Sequence, residues 1–338
     1  MGTGGRPGSG LTRRALLAGV GGALVGASGP RLALGQAAGR VRRIAWLDLL
    51  DSAAEVEAAL ISGLRGLGHV EGQTLAVERR KAGFRPDRLS AMARDLVTLR
   101  VEVIVAHGDA AIRAARQATS EIPVVMVAST DAVAAGHVPS LARPGGNVTG
   151  VSDAAADLAA KQLDLLRQLI PRVSRAAVLR RPPEIPADPV VGAVEAAARA
   201  LGIAVQVHTV RTRPDVERAF AALVHGRPDA VVALGSGLMW VDAAYLVGEL
   251  AVKHRIPLIS DMVELTYFEG LMSYATSRPA QITRAAYFVD RILRGARPAD
   301  LPVEQPAQSD FLINLGAARR LNITVPPALL IRADKVIE

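Results

Sequence analysis

The stretch "LARPGGNVTGVSD", Leu141 to Asp153, lies near the middle of a 338-residue chain, and its reading decides how the rest is divided. Three readings are open. Pro144-Gly145-Gly146 has the small residues of a phosphate-cradling loop, Asn147-Val148-Thr149 matches a glycosylation acceptor, and the glycines could let the chain bend between two halves. The first fails because neither a lysine nor a helix directly follows the glycines. The second is set aside because a strand over these residues would bury the acceptor, and because the chain opens with a bacterial-type export signal. The third is retained. Arg143 to Val151 reads as the first passage between two lobes, delivering Ser152 and Asp153 to the space beyond it.

On both sides of this joint, apolar runs alternate with amphipathic stretches. Before it, "RRIAWLDLL", "QTLAVERR", "VEVIVAHGD" and "IPVVMVASTD" read as strands. Between them, "SAAEVEAALISGLRGLG", "RPDRLSAMARDLVTL" and "AAIRAARQAT" carry apolar residues at helical spacing. After it, helices and strands alternate again from "AADLAAKQLDLLRQLIP" to "IPLISD". Near-continuous Val/Ile strands separated by helices predict parallel sheets covered on both faces. The expected fold is α/β, with two doubly wound parallel-sheet lobes joined by a hinge of three crossings. One lobe is expected over 38–150 plus 275–308 and the other over 151–274 plus 309–338. The extra helix "RPAQITRAAYFVDRILRG" and the later strand-helix "SDFLINLGAARRLN" supply the second and third crossings.

Composition narrows the function. Half the chain is hydrophobic and 21% is charged, enough for two globular cores and unlike a multi-span membrane protein. The net charge is +8, but Arg6, Arg13, Arg14 and Arg31 fall within the first 37 residues, which hold no acid, so about +4 remains beyond them. No dense basic run with interleaved aromatics follows, which argues against a nucleic-acid partner. With no cysteine, disulfides, thiolate metal sites and a cysteine nucleophile are excluded. Residues 1–37 read as a signal peptide: a positive start, a 13-residue apolar core from Ala15 to Ala27, then small residues. Thr12-Arg13-Arg14-Ala15-Leu16-Leu17 approximates a twin-arginine signal. The mature chain is therefore expected in the periplasm.

In open parallel sheets, ligands bind beyond the carboxyl ends of the strands. Those ends hold Asp48, Asp51, Ser52, His107, Gly108, Asp109, Ala110, Thr130, Asp131, Ser152, Asp153, Gly235, Ser236 and Asp261. Each of these polar positions suits a helix cap as well as a ligand contact. The aspartates could act as general acid and base, or hold the ammonium of an amino acid. No nucleophile elbow, phosphate loop or paired-histidine metal motif occurs, so neither catalytic residues, a metal nor a cofactor is expected. An exported enzyme working through the cleft aspartates, or a ligand-sensing domain for a membrane receptor, stands as the alternative.

Beyond these local readings, "RLSAMARDLV", "VEVIVAHG", "IPVVMV", "SLARPGGNVTGVS", "ILRGARPADLPVEQP" and "LINLGAARRLNITVPPALLIRADKVIE" follow one another in an order that resembles the tryptophan/tyrosine-type substrate-binding proteins of ABC transporters. The resemblance runs from about Arg43 to Glu338. It implies a bilobed periplasmic binding protein that is not an enzyme, takes a small solute such as an amino acid or small carboxylate by hinge closure, and hands it to an ABC permease in the inner membrane. It is expected to be a monomer. By position, the head-group contacts would fall on Asp51-Ser52, Gly108-Asp109-Ala110, Thr130-Asp131, Ser152-Asp153 and the Gly235-Ser236 loop. Ala132 stands where members often carry proline.

Overall fold

The structure, a computed structural model, describes residues 40–49, 54–83, 85–180, 189–234, 241–306 and 308–338. The first sheet is built from β1 (Arg42–Asp48), β2 (Leu75–Lys81), β3 (Val103–His107), β4 (Val124–Ser129) and β5 (Val148–Ser152), all parallel, in the order β2-β1-β3-β4-β5. That is one of the two common doubly wound orders. Its central strands β1, β3 and β4 are apolar on both sides because both sides are covered. Ile44 and Trp46 point to the face packed by α1 (Ala54–Gly66) and α9 (Arg278–Leu293), where Leu60, Leu64, Phe288 and Val289 meet them. Ala45 and Leu47 point the other way, toward Leu89, Ala93 and Leu96 of α2 (Pro86–Thr98) and Ile112 of α3 (Asp109–Ala118). This is the period-two alternation of a strand buried twice over.

The second sheet repeats the order and then extends it. It holds β6 (Arg175–Arg180), β7 (Ala204–Thr209), β8 (Ala230–Leu234), β9 (Leu258–Ser260), β10 (Met272–Thr276), β11 (Ser309–Asn314) and β12 (Lys335–Ile337), arranged β12-β11-β10-β9-β8-β6-β7. Helices α4 (Ala155–Leu169) and α5 (Pro189–Leu201) supply one face, together with the short α10 (Leu315–Arg320) and α11 (Pro327–Arg332). The other face is covered by α6 (Arg213–Gly226), α7 (Val241–Lys253) and α8 (Val263–Tyr267). The structure therefore has two α/β lobes, as the alternation of elements predicts. The departure from a purely parallel plan is β11, which runs antiparallel to β10, with Thr276 opposite Ser309. That reversal sets the start of β11 beside the end of β10, so a strand leaving the second sheet and one entering it lie next to each other.

The stretch from Arg143 to Val151, expected as the first crossing, is corrected here. Its second half, Val148–Ser152, is β5, paired with β4 in the first sheet, and the chain leaves that sheet only beyond Ser152. Gly150 has a φ of +130°, and a Cβ there would lie 2.3 Å from the Met126 carbonyl oxygen and 2.7 Å from its nitrogen. Glycine is needed for close approach of two strands, not for bending between lobes. The same place carries a β-bulge: Met126 opposes Gly150, but Ser129 opposes Ser152, and Ala128 takes up the extra residue with a φ of +55°. Thr149 is fully buried, with its hydroxyl donating to the Leu301 carbonyl at 2.7 Å, and the Asn147 amide donates to the carbonyls of Thr119 and Ile122. An acceptor triplet so engaged is a structural element.

The outer edge of β5 is closed by the chain itself. Glu304 donates its N–H to Gly150 at 3.0 Å and accepts from the N–H of Ser152 at 2.9 Å, while Val303 N–H reaches the Leu141 carbonyl. Arg284 of α9 grips the Glu304 carboxylate with both Nε and Nη2, at 2.5 and 2.6 Å. Gly150→Ala is expected to destabilise the protein by about 3 kcal/mol, since neither strand can yield without breaking the ladder. Thermal unfolding followed by circular dichroism measures it. An unchanged midpoint would refute the close approach.

Candidate functional site

The carboxyl ends of β1, β3, β4 and β5 lie along one edge of the first sheet, and those of β6, β8, β9 and β10 along one edge of the second. The chain passes between the sheets after Ser152, after Thr276 and before Ser309. All three passages touch these carboxyl-end edges, so the space between the edges is where the strand-end residues collect.

Within the first lobe these residues take different duties. Asp48 and His107 are register partners on adjacent strands, both buried, with His107 Nδ1 at 3.2 Å from Asp48 Oδ1. Trp46, two residues earlier on the same face, stacks on the His107 ring with centroids 5.7 Å apart. These three form a floor. Gly108 follows with φ 82° and ψ 155°, a conformation essentially restricted to glycine, and starts α3 without any side-chain cap. The amides opening α3, at Asp109 and Ala110, are therefore available to an external acceptor.

Asp109 is a support. Its Oδ1 accepts from the Ser129 hydroxyl at 2.7 Å and lies 2.9 Å from His137 Nε2, while Oδ2 accepts from the Thr130 N–H at 3.2 Å. Burial works to raise this carboxyl, but the hydrogen bonds from His137, Ser129 and the Thr130 amide hold it below the ordinary carboxylate range. The bulge at Ala128 aims Ser129 and Thr130 at it. His137, whose side chain is entirely buried, lies 28 positions away and had no role in the sequence reading. No sequence pattern ties it to Asp109, because the contact is made only when the turn after β4 folds back on the start of α3.

Thr130 and Asp131 remain partly exposed at this edge. Asp131 Oδ1 accepts from the N–H groups of Val133 and Ala134, closing its own turn and leaving Oδ2 outside these bonds. The Ser152 hydroxyl is buried and accepts from the Ala132 N–H at 3.0 Å. Asp153 keeps some surface yet is crowded by protein. Burial pushes its carboxyl above the ordinary range, Asp109 adds repulsion, and Arg278, Thr276 and Gln281 oppose the rise. Gln281, on the buried stripe of α9, donates its amide to the Asp153 carboxylate.

On the second lobe, the Ser260 hydroxyl donates to the Ala233 carbonyl and accepts from the Met262 N–H, and Asp261 stands half-buried beside it. Arg180, at the end of β6, is half-buried, and burial draws its guanidinium below the usual arginine value. Asp51, Ser52, Gly235 and Ser236 lie outside the described residues, as does the segment 1–37 expected to be a signal peptide. Among the described residues, no group of three or more His, Asp or Glu side chains is placed to hold a metal ion, and no helix is long and apolar enough to cross a membrane.

Two α/β lobes with their strand ends brought to a common edge define the class of bilobed solute-binding proteins. The family described as ABC transporter substrate binding protein matches residues 49–337, and the chain belongs to that family, one of binding proteins rather than enzymes. A tyrosine-binding protein of Clostridioides difficile (strain R20291) is 25% identical over 269 residues, covering 80% of this chain and 77% of the relative. A conserved domain protein from Vibrio cholerae superposes with a TM-score of 0.79 at 26% identity, covering 88% of this chain and 100% of that one. An ABC domain from Streptococcus pneumonia in complex with L-Trp superposes with a TM-score of 0.80 at 24% identity, covering 88% and 99%.

Asp109 yields a pH prediction. Because its folded value is depressed, its contribution to stability is full above the unfolded carboxylate value, roughly pH 4, and is lost as pH falls through the folded value. Asp109→Asn is expected to flatten the acid limb of a stability–pH curve. Asp109→Ala, which strands the Ser129, Thr130 and His137 donors, is expected to cost about 2–3 kcal/mol at neutral pH. Denaturant unfolding across pH 2.5–7 reads both, and an acid limb identical to wild type would remove Asp109 from this role.

Proposed function

We propose that this protein is exported by its N-terminal segment and captures a free amino acid between its lobes for delivery to an ABC permease. The lobe limits that fit this reading are 40–152 plus 277–308 for the first and 153–276 plus 309–338 for the second, with the three passages as hinge. The observation that carries the ligand class is the uncapped start of α3 at Gly108-Asp109-Ala110, next to partly exposed Asp131. Helix amides receive a carboxylate and an aspartate receives an ammonium, so the edge matches a zwitterionic head group. We retain His107, Thr130 and Asp261 as further candidate contacts, with Asp48 bonded to His107 and Ser152 to the Ala132 N–H as their supports. Relatedness to a tyrosine-binding protein favours a large aromatic side chain.

Closure follows from differential contacts. A solute that touches both edges stabilises the arrangement in which they are close, and one that touches only one does not. The closed form is the one offered to the permease.

Thermal-shift and calorimetric titrations with L-tyrosine, L-tryptophan, other amino acids, small carboxylates, nucleobases and sugars test this. An aromatic amino acid at a hundred times its Kd is expected to add about 2.7 kcal/mol of stability without being consumed. Stabilisation by sugars but by no amino acid, or steady conversion of a bound compound, would overturn the reading. Asp131→Asn keeps the turn-capping oxygen but loses the charge. It is expected to weaken amino-acid binding at least tenfold while shifting the midpoint of the free protein by no more than about 2 °C.

A further inference from the structure

The strongest unassigned feature is a side-chain cluster on the passages themselves. Asp153 is the first residue beyond β5. Its N–H donates to the Ser129 carbonyl at 2.7 Å, which anchors it to the first lobe. Its carboxylate accepts the amide of Gln281, whose side chain is buried on α9, and the hydroxyl of Thr276, the last residue of β10. Its own carbonyl accepts from the Gln305 amide at 3.5 Å. One residue on the first passage thus bonds to residues flanking the second passage and to one entering the third.

We propose that Asp153 and Gln281 are positioning residues for solute capture, a hydrogen-bonded latch across the three passages that sets the balance between open and closed lobes. This rests on the hinge-closure reading above. Their role in the latch runs through the bond between the Gln281 amide and the Asp153 carboxyl and needs no contact with the solute.

The latch is also sensitive to protons. The charged groups facing the Asp153 carboxyl are Arg278, at the start of α9, and Asp109, at the start of α3; Thr276 and Gln281 face it as neutral donors. Its surroundings come from both lobes, with Thr276 on the second sheet and Ser129 and Asp109 on the first. Closing them around a neutral carboxyl buries no charge. Closing them around a carboxylate buries one beside Asp109, at a desolvation cost that Arg278 offsets only in part and that opening to water relieves. Since burial raises the Asp153 carboxyl, the protonated form persists into the range where an ordinary aspartate is ionised. The closed fraction of the free protein therefore falls as pH rises through that value.

The sequence has no cysteine, so two can be placed without interference: Arg94→Cys on α2 and Glu217→Cys on α6, both exposed and on different lobes. Spin labels on these sites give the distance distribution of the ligand-free protein between pH 5 and 9. In the otherwise unchanged chain, the ratio of long to short distances is expected to rise at least threefold across this range. Asp153→Asn, isosteric and uncharged, is expected to abolish that dependence. Gln281→Ala is expected to raise the ratio at least threefold at every pH, with circular dichroism confirming an intact fold. A pH-invariant distribution in the unchanged chain, an Asp153→Asn response equal to it, or a Gln281→Ala distribution indistinguishable from it would each overturn the latch. L-tryptophan and L-tyrosine titrations run in parallel separate the two readings: if neither binds while the distances respond as stated, the ligand assignment falls and the latch stands.

Discussion

Two backbone hydrogen bonds, between Glu304 and the residues flanking Val151, fix where the returning chain meets the first sheet. A sheet edge left open at β5 would expose unpaired N–H and C=O groups exactly where the chain must leave for the second lobe. The segment returning from α9 closes that edge and so fixes the outgoing and returning chain side by side. Arg284 secures the arrangement through its fork on the Glu304 carboxylate, its guanidinium lying 3.7 Å from the centre of the Tyr287 ring. The glycine at 150 is part of the same constraint, since only a residue without Cβ lets β5 come close enough to Met126 for the bulge to form.

From that edge the chemistry divides into residues that hold and residues that can receive. Asp109 is surrounded by three donors on the protein, and its charge is committed to fixing Thr130 and the turn behind it. Asp131 closes a turn with one oxygen, and Gly108 leaves α3 open at its start. Two aspartates separated by 22 positions thus differ in availability because of who bonds to them.

Much of the fold was legible because doubly buried parallel strands write themselves as continuous apolar runs. β1, β3 and β4 follow that pattern, as do β6 and β8, and the helices between them carry their apolar residues at helical spacing. β5 was not legible as a strand of the first sheet, because a glycine serves equally for bending and for close approach and the sequence does not say which. The direction of β11 was equally hidden, since a strand's hydrophobic pattern is the same read either way. Of the site, the strand-end loops were visible as a set, but their internal division was not. Ser152 and Asp109 read as ligand contacts of the same kind as Asp131, because their bonding partners come from distant parts of the chain: Ala132 for Ser152, and Ser129 and His137 for Asp109. Gln281 left one trace, a polar residue that shares the buried stripe of α9 with Asp290 and seven apolar residues.

The side-by-side pairing of the passages has a mechanical consequence for the hinge inferred here. Hydrogen-bonded strands form a ribbon, which bends readily across its face but resists shear and stretch within its plane. Glu304 pairs with β5 at the first-lobe end and Ser309 with Thr276 at the second-lobe end, and between them the Ser277 N–H donates to the Gln308 carbonyl, so the second and third passages run as a paired ribbon. In the proposed hinge, such pairing would favour a bend about the ribbon over the independent motions that three separate linkers would allow. On the proposed function and latch, the solute, the permease and the proton on Asp153 would then all act through that one bend.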